Sequence, residues 1–361
     1  MNGPGKLVCL LGVVLGVLHI VLLYATMFVN CNVLSIVSLL FVAPILPHVH
    51  HRLLADMAAY AWRSFLFWAQ VVGGLSPVYT GDIDKLLNTY KGPKLVMGNH
   101  LSFSDSFLIY SIGYAAGEEA HIRAFAKKSL SYSPVVGWCW SMLNFIFLSR
   151  SFEKDKKNIQ LQMKKLADRS KKYYATGNYW LTIFPEGTRR RPDKLKDAQA
   201  FSRARGLPIF EHVLVPRTKG LLATMGQDCA TLRQTADAVL DLTFGYPDRR
   251  SGGNKVRPSV NDLLFGLGRR WEVHVHVRII PMSQVPLDDD AFSKWLMDVF
   301  VEKDKLLEHY RQHACFPGKA QQLKAATPAA LIANMLTFAM CAVALSALGV
   351  AAVWCMRSWM A

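Results

Sequence analysis

After residue 76 the chain repeats one pattern: a short apolar run, a turn that carries polar residues, and a stretch with helical character. Apolar runs of this length, bounded by turn signals, are typical of buried strands. The runs that predict strands are Leu95–Met97, His121–Ala126, Asn144–Arg150, Trp180–Phe184, Val213–Val215 and Trp271–Arg278. The charged stretch Glu153–Lys172 has scattered apolar residues and predicts an amphipathic helix. Strands that alternate with helices favour an α/β fold.

A histidine and a carboxylate follow the first of these strands. His100 lies at the strand end, and Asp105 lies in the first turn of the next predicted helix. The loop between them is short enough for the carboxylate to accept a hydrogen bond from one imidazole nitrogen, which leaves the other nitrogen as a base for a hydroxyl proton. A loop histidine beside a helix-capping aspartate gives the same spacing, so the pattern alone leaves both interpretations open. The chain has no G-x-S-x-G motif, and direct attack by a substrate hydroxyl is therefore the simplest mechanism.

Three later strand ends each deliver an arginine, namely Arg150, Arg189 and Arg217. A guanidinium group suits a phosphate because it can donate two parallel hydrogen bonds. Lys128 follows another strand and either faces the same ligand or belongs to a solvated surface pair. Ligands of open α/β sheets collect at the carboxyl ends of the strands, so these cations predict one anionic ligand site beside His100.

Apolar stretches near both ends of the chain predict a membrane protein. The 361 residues are 52% hydrophobic with a mean hydropathy of +0.17, which is high for an ordinary soluble enzyme. Leu7–Val29 is long enough to cross a bilayer, and no small-residue cleavage site follows it as in a signal peptide. Val33–Leu46 either returns across the bilayer or re-enters it. Pro328–Trp354 predicts a second spanning helix near the C-terminus.

The net charge and the cysteine content limit which partners the protein can bind and in which cellular compartment its main domain lies. The net charge of +16 fits anionic lipid headgroups or anionic substrates. Nucleic acid is the rival explanation, and the apolar segments favour the lipid. Seven scattered cysteines without a C-x-x-C pair indicate neither a disulfide framework nor a zinc site, which favours a cytosolic main domain. The histidines at 48–51 and at 274–276 lack further ligands at metal-binding spacing, so no metal site is predicted.

Four motifs occur in a fixed order along the chain. They are Asn-His-x-x-x-x-Asp at 99–105, Phe-Leu-Ser-Arg at 147–150, Phe-Pro-Glu-Gly-Thr-Arg at 184–189 and Val-Pro-Arg-Thr-Lys-Gly at 215–220. In order and spacing they resemble the four ordered blocks of the glycerolipid acyltransferases. Later stretches at 238–247, 303–310 and 316–318 are similar as well, so the resemblance covers about residues 60–320.

The resemblance implies a mixed sheet with surrounding helices, and acyl transfer from acyl-CoA to the free sn-2 hydroxyl of 1-acylglycerol-3-phosphate, which gives phosphatidic acid. Acyl-CoA is a co-substrate, and neither a metal, another cofactor nor a covalent intermediate is implied. His100 is implied as the general base and Asp105 as its orienting partner. The implied substrate-binding residues are Arg150, Glu186, Gly187, Thr188, Arg189 and Pro216, with Asn99, Lys128 and Arg217 as secondary candidates.

The sequence divides into an anchoring region over 1–75, an acyltransferase domain over 76–285, a helical extension over 286–327, and a transmembrane helix with a short tail over 328–361. The expected partners are a lysophospholipid, acyl-CoA and membrane lipids, without nucleic acid. The expected location is the endoplasmic reticulum membrane, with the catalytic domain facing the cytosol. Two alternatives stay open: an acyltransferase or transacylase for lysocardiolipin or another lysophospholipid, and a non-catalytic basic lipid-binding scaffold.

Overall fold

The structure is a computed structural model that describes all residues except 1–2, 150–151, 175–176, 227–230, 248–256, 268–269, 330–331, 334–335 and 337–361. The strands are β1 Leu75–Gly81, β2 Lys94–Gly98, β3 Ile122–Lys127, β4 Ile146–Leu148, β5 Trp180–Ile183, β6 Ala238–Gly245 and β7 Trp271–Pro281. Within the described residues these seven strands form one sheet with the order β1-β7-β6-β2-β5-β3-β4.

Helices surround this sheet. They are α1 Gly3–Met27, α2 Ser35–Val37, α3 Pro47–Val71, α4 Ile83–Asn88, α5 Asp105–Ala116, α6 Val136–Met142, α7 Phe152–Tyr173, α8 Pro192–Arg205, α9 Thr218–Met225, α10 Thr231–Thr235, α11 Val260–Phe265 and α12 Asp289–His313. Two π-helical stretches, Phe28–Leu34 and Ser38–Val42, flank α2. Single 3₁₀ turns occupy Glu119–His121, Lys128–Tyr132 and Met282–Gln284.

The sheet is mixed, as the sequence predicted. The pairing of β6 with β7 is antiparallel, and every other neighbouring pair is parallel. Strands β2 to β6 therefore run in one direction and end at the same edge, which we call the carboxyl edge. Loops that follow these five strands must meet there, and these loops include the predicted site residues.

Alternation along the strands directs side chains to helices on both faces of the sheet. On one face Leu95 and Met97 of β2 are buried in a cluster with α7 and α12. On the other face Val96 of β2 is buried in a cluster that includes Leu108 of α5. The sheet is thus the middle layer of three, and a strand buried on both faces reads as a continuous apolar run, which is why β2 could be predicted.

The strand predicted at Val213–Val215 is absent, and the segment that begins at Glu211 contacts α12. The Asp304 carboxylate on α12 accepts hydrogen bonds from the backbone N–H groups of Glu211, His212 and Val213, at 3.2, 2.7 and 3.2 Å. Of the three predicted strand residues, Val213 thus has its N–H paired with a side chain and not with a neighbouring strand. Val213 and Leu214 are nonetheless buried, so the apolar run in the sequence indicates core packing and not a strand.

The N-terminal helices pack against the domain. Gly12 and Gly16 of α1 lie against Phe265 of α11, and the His19 ring stacks on Trp68 of α3 with 4.0 Å between centroids. In the part of the chain that the structure describes, no helix has both the length and the apolar character that crossing a bilayer requires. The predicted span over 7–29 is therefore not supported. The predicted span over 328–354 lies mostly outside the described residues.

Candidate active site

The carboxyl edge brings together loops that are far apart in the sequence. The loop after β2 contains His100, the turn after β5 contains Glu186, and Tyr246 follows β6. Strand β2 pairs with both β5 and β6 in parallel, so the three loops leave the sheet side by side. The site is built from these loops and from the segment at 257–258.

His100 and Asp105 form the hydrogen bond that their spacing predicted. The distance from His100 Nδ1 to Asp105 Oδ2 is 2.9 Å. The imidazole keeps 22% of its surface exposed, whereas the Asp105 side chain is fully buried. The imidazole also stacks on the Phe184 ring, with 4.1 Å between centroids and 17° between planes. The histidine is therefore fixed on one side and open on the other.

The Asp105 carboxylate is surrounded by hydrogen-bond donors. Its Oδ2 atom accepts from the backbone N–H groups of Leu101 and Ser102, at 2.8 and 2.9 Å, as well as from His100. Its Oδ1 atom accepts from the Tyr246 hydroxyl at 2.6 Å. These donors stabilise the ionised carboxylate. An ionised carboxylate only accepts, so His100 Nδ1 carries the proton and Nε2 has a free lone pair.

Among the described residues, no group is hydrogen-bonded to His100 Nε2, and the nearby serines are engaged elsewhere. The Ser102 hydroxyl donates to the carbonyl of Pro258 at 3.0 Å. The Ser104 hydroxyl lies 2.8 Å from Ser102 Oγ. Neither hydroxyl is placed as a nucleophile for His100 to activate. The arrangement suits deprotonation of a hydroxyl group that belongs to a substrate.

Asn99 locks the end of β2 to the end of β6. Its side-chain amide donates to the Phe244 carbonyl at 3.1 Å and accepts from the Phe244 N–H at 2.8 Å. The side chain is completely buried. Asn99 therefore fixes the backbone immediately before His100, and the structure places it behind the site and away from solvent.

Glu186 is buried beneath the loop that follows β2. Its Oε1 atom accepts a hydrogen bond from the His100 backbone N–H at 3.0 Å, and only 2% of the residue is exposed. Burial raises the pKa of Glu186 to about 8, although the backbone N–H groups of His100 and Leu214 oppose this shift. At neutral pH the carboxyl group is then mostly neutral. The structure thus places Glu186 under the backbone of His100, and its role in the acceptor site stays a prediction.

The turn at 185–191 is tied to two other segments. The Arg190 N–H donates to the His100 carbonyl at 2.8 Å, and the Arg217 N–H donates to the Pro185 carbonyl at 2.8 Å. Gly187 has φ +68°, and a Cβ atom there would lie 3.0 Å from the Arg217 Nε atom. Only glycine adopts this conformation without strain and also leaves room for the guanidinium group. Arg217 therefore lies directly over the turn.

Several arginines lie in the loops that build the site or donate to them. Arg189 and Arg217 are exposed. Arg257 donates from Nη1 to the carbonyls of Leu101 and Arg190, at 3.2 and 3.4 Å. The pKa of Arg190 is lowered by burial and by the neighbouring Arg257 charge. Such a concentration of positive charge favours an anionic ligand.

The other site residues that the sequence predicted differ in their burial and position. Pro216 is buried under the Arg217 turn, Thr188 is half-buried, and Lys128 is exposed at the end of β3. Arg150 lies outside the described residues. Sequence reasoning missed Phe184 as a ring under His100, and it missed both Tyr246 and Arg257. The only signal for Tyr246 was its place in the family-like stretch at 238–247.

Over the described residues, no group of three or more His, Cys, Asp or Glu side chains is arranged to hold a metal ion. The Nδ1 atom of His276 is hydrogen-bonded to Thr80 Oγ1 at 3.0 Å, and His274 Nε2 to Glu272 Oε1 at 3.1 Å. Both histidines have protein partners within the sheet region.

Two family models match the chain. The model described as Acyltransferase matches residues 77–227, and the model described as Acyltransferase C-terminus matches residues 262–338. Together they cover more than half of the chain. The first contains the loop of His100 and the turn of Glu186, and the second contains α12.

Curated relatives agree with these matches. The chain is 28% identical over 291 residues to 1-acyl-sn-glycerol-3-phosphate acyltransferase 2 of Arabidopsis thaliana, covering 81% of this chain and 70% of the relative. It is 32% identical over 225 residues to 1-acyl-sn-glycerol-3-phosphate acyltransferase delta of Homo sapiens, covering 62% and 54%. It is 34% identical over 217 residues to the gamma enzyme of Pongo abelii, covering 60% and 52%.

Proposed function

Because the chain belongs to the acyltransferase family, we propose that it transfers an acyl group from acyl-CoA to the free sn-2 hydroxyl of 1-acylglycerol-3-phosphate and so makes phosphatidic acid. The observation that most supports this proposal is the His100–Asp105 pair, with Nε2 open towards solvent. The names of the relatives support the acceptor, since each is a 1-acyl-sn-glycerol-3-phosphate acyltransferase.

In the proposed mechanism His100 acts as a general base. Its Nε2 atom takes the proton of the acceptor hydroxyl while the hydroxyl oxygen attacks the thioester carbonyl carbon. The new C–O ester bond forms and the C–S bond breaks, and the imidazolium returns the proton to the sulfur, so that CoA leaves as a thiol. Asp105 stabilises the imidazolium during this step. Direct attack is favoured because the Ser102 and Ser104 hydroxyls are turned towards each other and towards Pro258.

The acceptor phosphate is proposed to bind to the guanidinium groups of the loops that build the site. Arg189, Arg217 and Arg257 are the described candidates, and Arg150 is retained from the sequence as a further one. Ion pairs between the acceptor phosphate and these arginines hold the glycerol backbone of the acceptor so that its free hydroxyl reaches His100 Nε2. Lys128 remains a secondary candidate at the neighbouring strand end.

We also propose that the enzyme works at the endoplasmic reticulum membrane with its catalytic domain on the cytosolic side. The N-terminal region presents exposed apolar side chains, among them Phe41 and Ile45, which are 68% and 77% exposed. His51 stacks on Tyr173 with 3.9 Å between ring centroids, which brings the basic end of α7 beside the exposed Arg52. An apolar surface bordered by cations suits a lipid bilayer with anionic headgroups.

The test is transfer of a labelled acyl group by the purified full-length chain in phospholipid vesicles. The acceptors are 1-acylglycerol-3-phosphate, lysocardiolipin, lysophosphatidylcholine and glycerol-3-phosphate, and the donor is either acyl-CoA or a diacyl phospholipid. The proposal predicts the highest kcat/KM for acyl-CoA with 1-acylglycerol-3-phosphate, and transfer that is slower by about 10² to 10⁴ in a His100→Ala control. A higher kcat/KM for lysocardiolipin, or transfer only from phospholipid, would replace the proposed reaction with an alternative. No transfer under any condition would favour a non-catalytic scaffold.

A further inference from the structure

We propose that Tyr246 is a positioning residue for the general base: its hydroxyl donates to Asp105 Oδ1 and thereby limits how strongly Asp105 stabilises the His100 imidazolium. This inference rests on the proposed function. It concerns a residue outside the four motifs, and it acts through Asp105 and not on the substrate.

The pairing of β6 with β2 places Tyr246 beside Asp105. Strand β6 pairs with β2 in parallel register, with Leu242 opposite Gly98. The reciprocal hydrogen bonds between Asn99 and Phe244 then fix the two chains at the carboxyl edge. Tyr246 follows two residues later and is buried at 6% exposure. Its hydroxyl position is thus set by the same backbone contacts that set His100.

The contact has the geometry of a charge-assisted hydrogen bond. The Tyr246 oxygen lies 2.6 Å from Asp105 Oδ1 and 3.2 Å from Ser104 Oγ. Hydroxyl–carboxylate bonds fall in this shorter range, and a single phenolic proton goes to the stronger acceptor, which is the carboxylate. Burial and the Asp105 charge raise the pKa of Tyr246 well above its ordinary value, so the hydroxyl remains a donor over any practical assay range.

Tyr246 is the one side chain other than His100 that donates to Asp105 among the described residues. The other two donors are the backbone N–H groups of Leu101 and Ser102, which belong to the loop itself. Removing the phenolic hydroxyl leaves Oδ1 without this donor and leaves more uncompensated negative charge beside His100. The imidazolium form becomes more favourable, and the base then requires a higher pH to be neutral.

This change has two kinetic consequences. The acidic limb of the pH profile of kcat/KM, where the base becomes protonated, should move to higher pH. The imidazolium should also return its proton to the departing sulfur more slowly, which lowers kcat. Binding of either substrate should change little, because Tyr246 is buried behind Asp105.

The test compares Tyr246→Phe with Tyr179→Phe in the acyl-CoA assay. Tyr179 is a matched control because it is also a buried tyrosine, its hydroxyl lies 2.5 Å from Thr235 Oγ1, and it precedes β5 at the opposite edge of the sheet. We expect Tyr246→Phe to lower kcat by roughly 3- to 30-fold and to raise the pH of the acidic limb, with both KM values within about twofold. Tyr179→Phe should lose similar stability and keep the wild-type profile.

A double-mutant comparison separates this role from simple packing. In an Asp105→Asn background, Tyr246→Phe should have no further effect on the profile, since the residue acts through the carboxylate. If Tyr246→Phe does not fold, replacement of Tyr246 by 3-fluorotyrosine keeps the shape and strengthens the donor, and the acidic limb should then move to lower pH. An unchanged limb in the folded variant would overturn the inference. Absence of transfer by the wild type would instead overturn the proposed function.

Discussion

The backbone N–H of His100 donates to the Glu186 carboxyl group at 3.0 Å, and so joins two motifs that lie 86 residues apart. The Arg190 N–H returns a hydrogen bond to the His100 carbonyl at 2.8 Å. The turn after β5 thus contacts both the N–H and the carbonyl of His100 and fixes the loop that follows β2. Glu186 of the motif at 184–189 therefore has a structural role, and the first prediction concerns this residue.

Glu186→Gln should make stability less dependent on pH. Burial raises the pKa of Glu186 from 4.5 to about 8, so between these values the folded protein holds a proton that the unfolded chain has lost. The free energy of unfolding of the wild type therefore decreases as pH rises through this window, by about 5 kcal/mol at most. Glutamine cannot ionise and still accepts from the His100 N–H.

The measurement is the thermal midpoint of both proteins between about pH 5 and pH 9, a range that brackets the window. The difference between variant and wild type should grow towards alkaline pH. Glu186→Ala, which lacks the acceptor for His100, is the contrasting variant and should be destabilised at every pH. Parallel midpoint curves for wild type and Glu186→Gln would show that Glu186 is charged in the fold.

Asn99→Ala should cost both stability and turnover. It leaves the buried N–H and carbonyl of Phe244 without their partners, a loss of roughly 2 to 3 kcal/mol in the free energy of unfolding. It also frees the backbone before His100, so kcat should fall more than either KM changes. Denaturant unfolding and steady-state kinetics measure the two effects. A variant with wild-type stability would contradict the assigned hydrogen bonds.

Gly187→Ala should impair activity beyond its effect on stability. Both Gly187 and Gly206 have positive φ angles, of 68° and 63°, so alanine at either costs about 1 to 2 kcal/mol of backbone strain. At Gly187 the new Cβ atom also meets Arg217 at 3.0 Å, whereas nothing lies within 4 Å at Gly206. Gly206→Ala is therefore the matched control. Equal kinetic effects in the two variants would show that Arg217 has no part in the site.

Arg189→Lys should raise the KM for 1-acylglycerol-3-phosphate more than it lowers kcat. The phosphate is present in the ground state and in the transition state, and uniform binding affects mainly KM. Lysine keeps the charge and loses the planar pair of donors. Arg191→Lys is the control, since Arg191 is exposed and pairs with Asp193 at 3.1 Å. A change confined to the KM of acyl-CoA would assign Arg189 to the donor.

Short-range signals in the sequence predicted much of the fold. Strands β2, β3, β5 and β7 and helix α7 lie where apolar runs and helical periodicity placed them, because burial on one or two faces selects the residue type at each position. The strand predicted at Val213–Val215 was wrong, and the N–H of Val213 donates to Asp304 on α12. That contact depends on a helix about ninety residues later, which no local pattern reports.

In the site, too, the contact between residues close in the sequence was predicted, whereas the contacts between distant residues were not. The His100–Asp105 hydrogen bond spans five residues and was predicted from their spacing, and it is present at 2.9 Å. Tyr246 lies 141 residues from Asp105, and only the parallel pairing of β6 with β2 brings them together. The burial of Glu186 beneath the loop likewise depends on β5 lying beside β2. The catalytic and binding roles of these residues remain predictions for the experiments above.

The most direct test of the account is the rate at which wild type and His100→Ala transfer a labelled acyl group from acyl-CoA to 1-acylglycerol-3-phosphate in identical vesicles. A positioned general base contributes about 10² to 10⁴ in rate, so the variant should lose that factor while its thermal midpoint and its association with vesicles stay at the wild-type level. Retention of more than about a tenth of wild-type kcat would contradict general-base catalysis by His100.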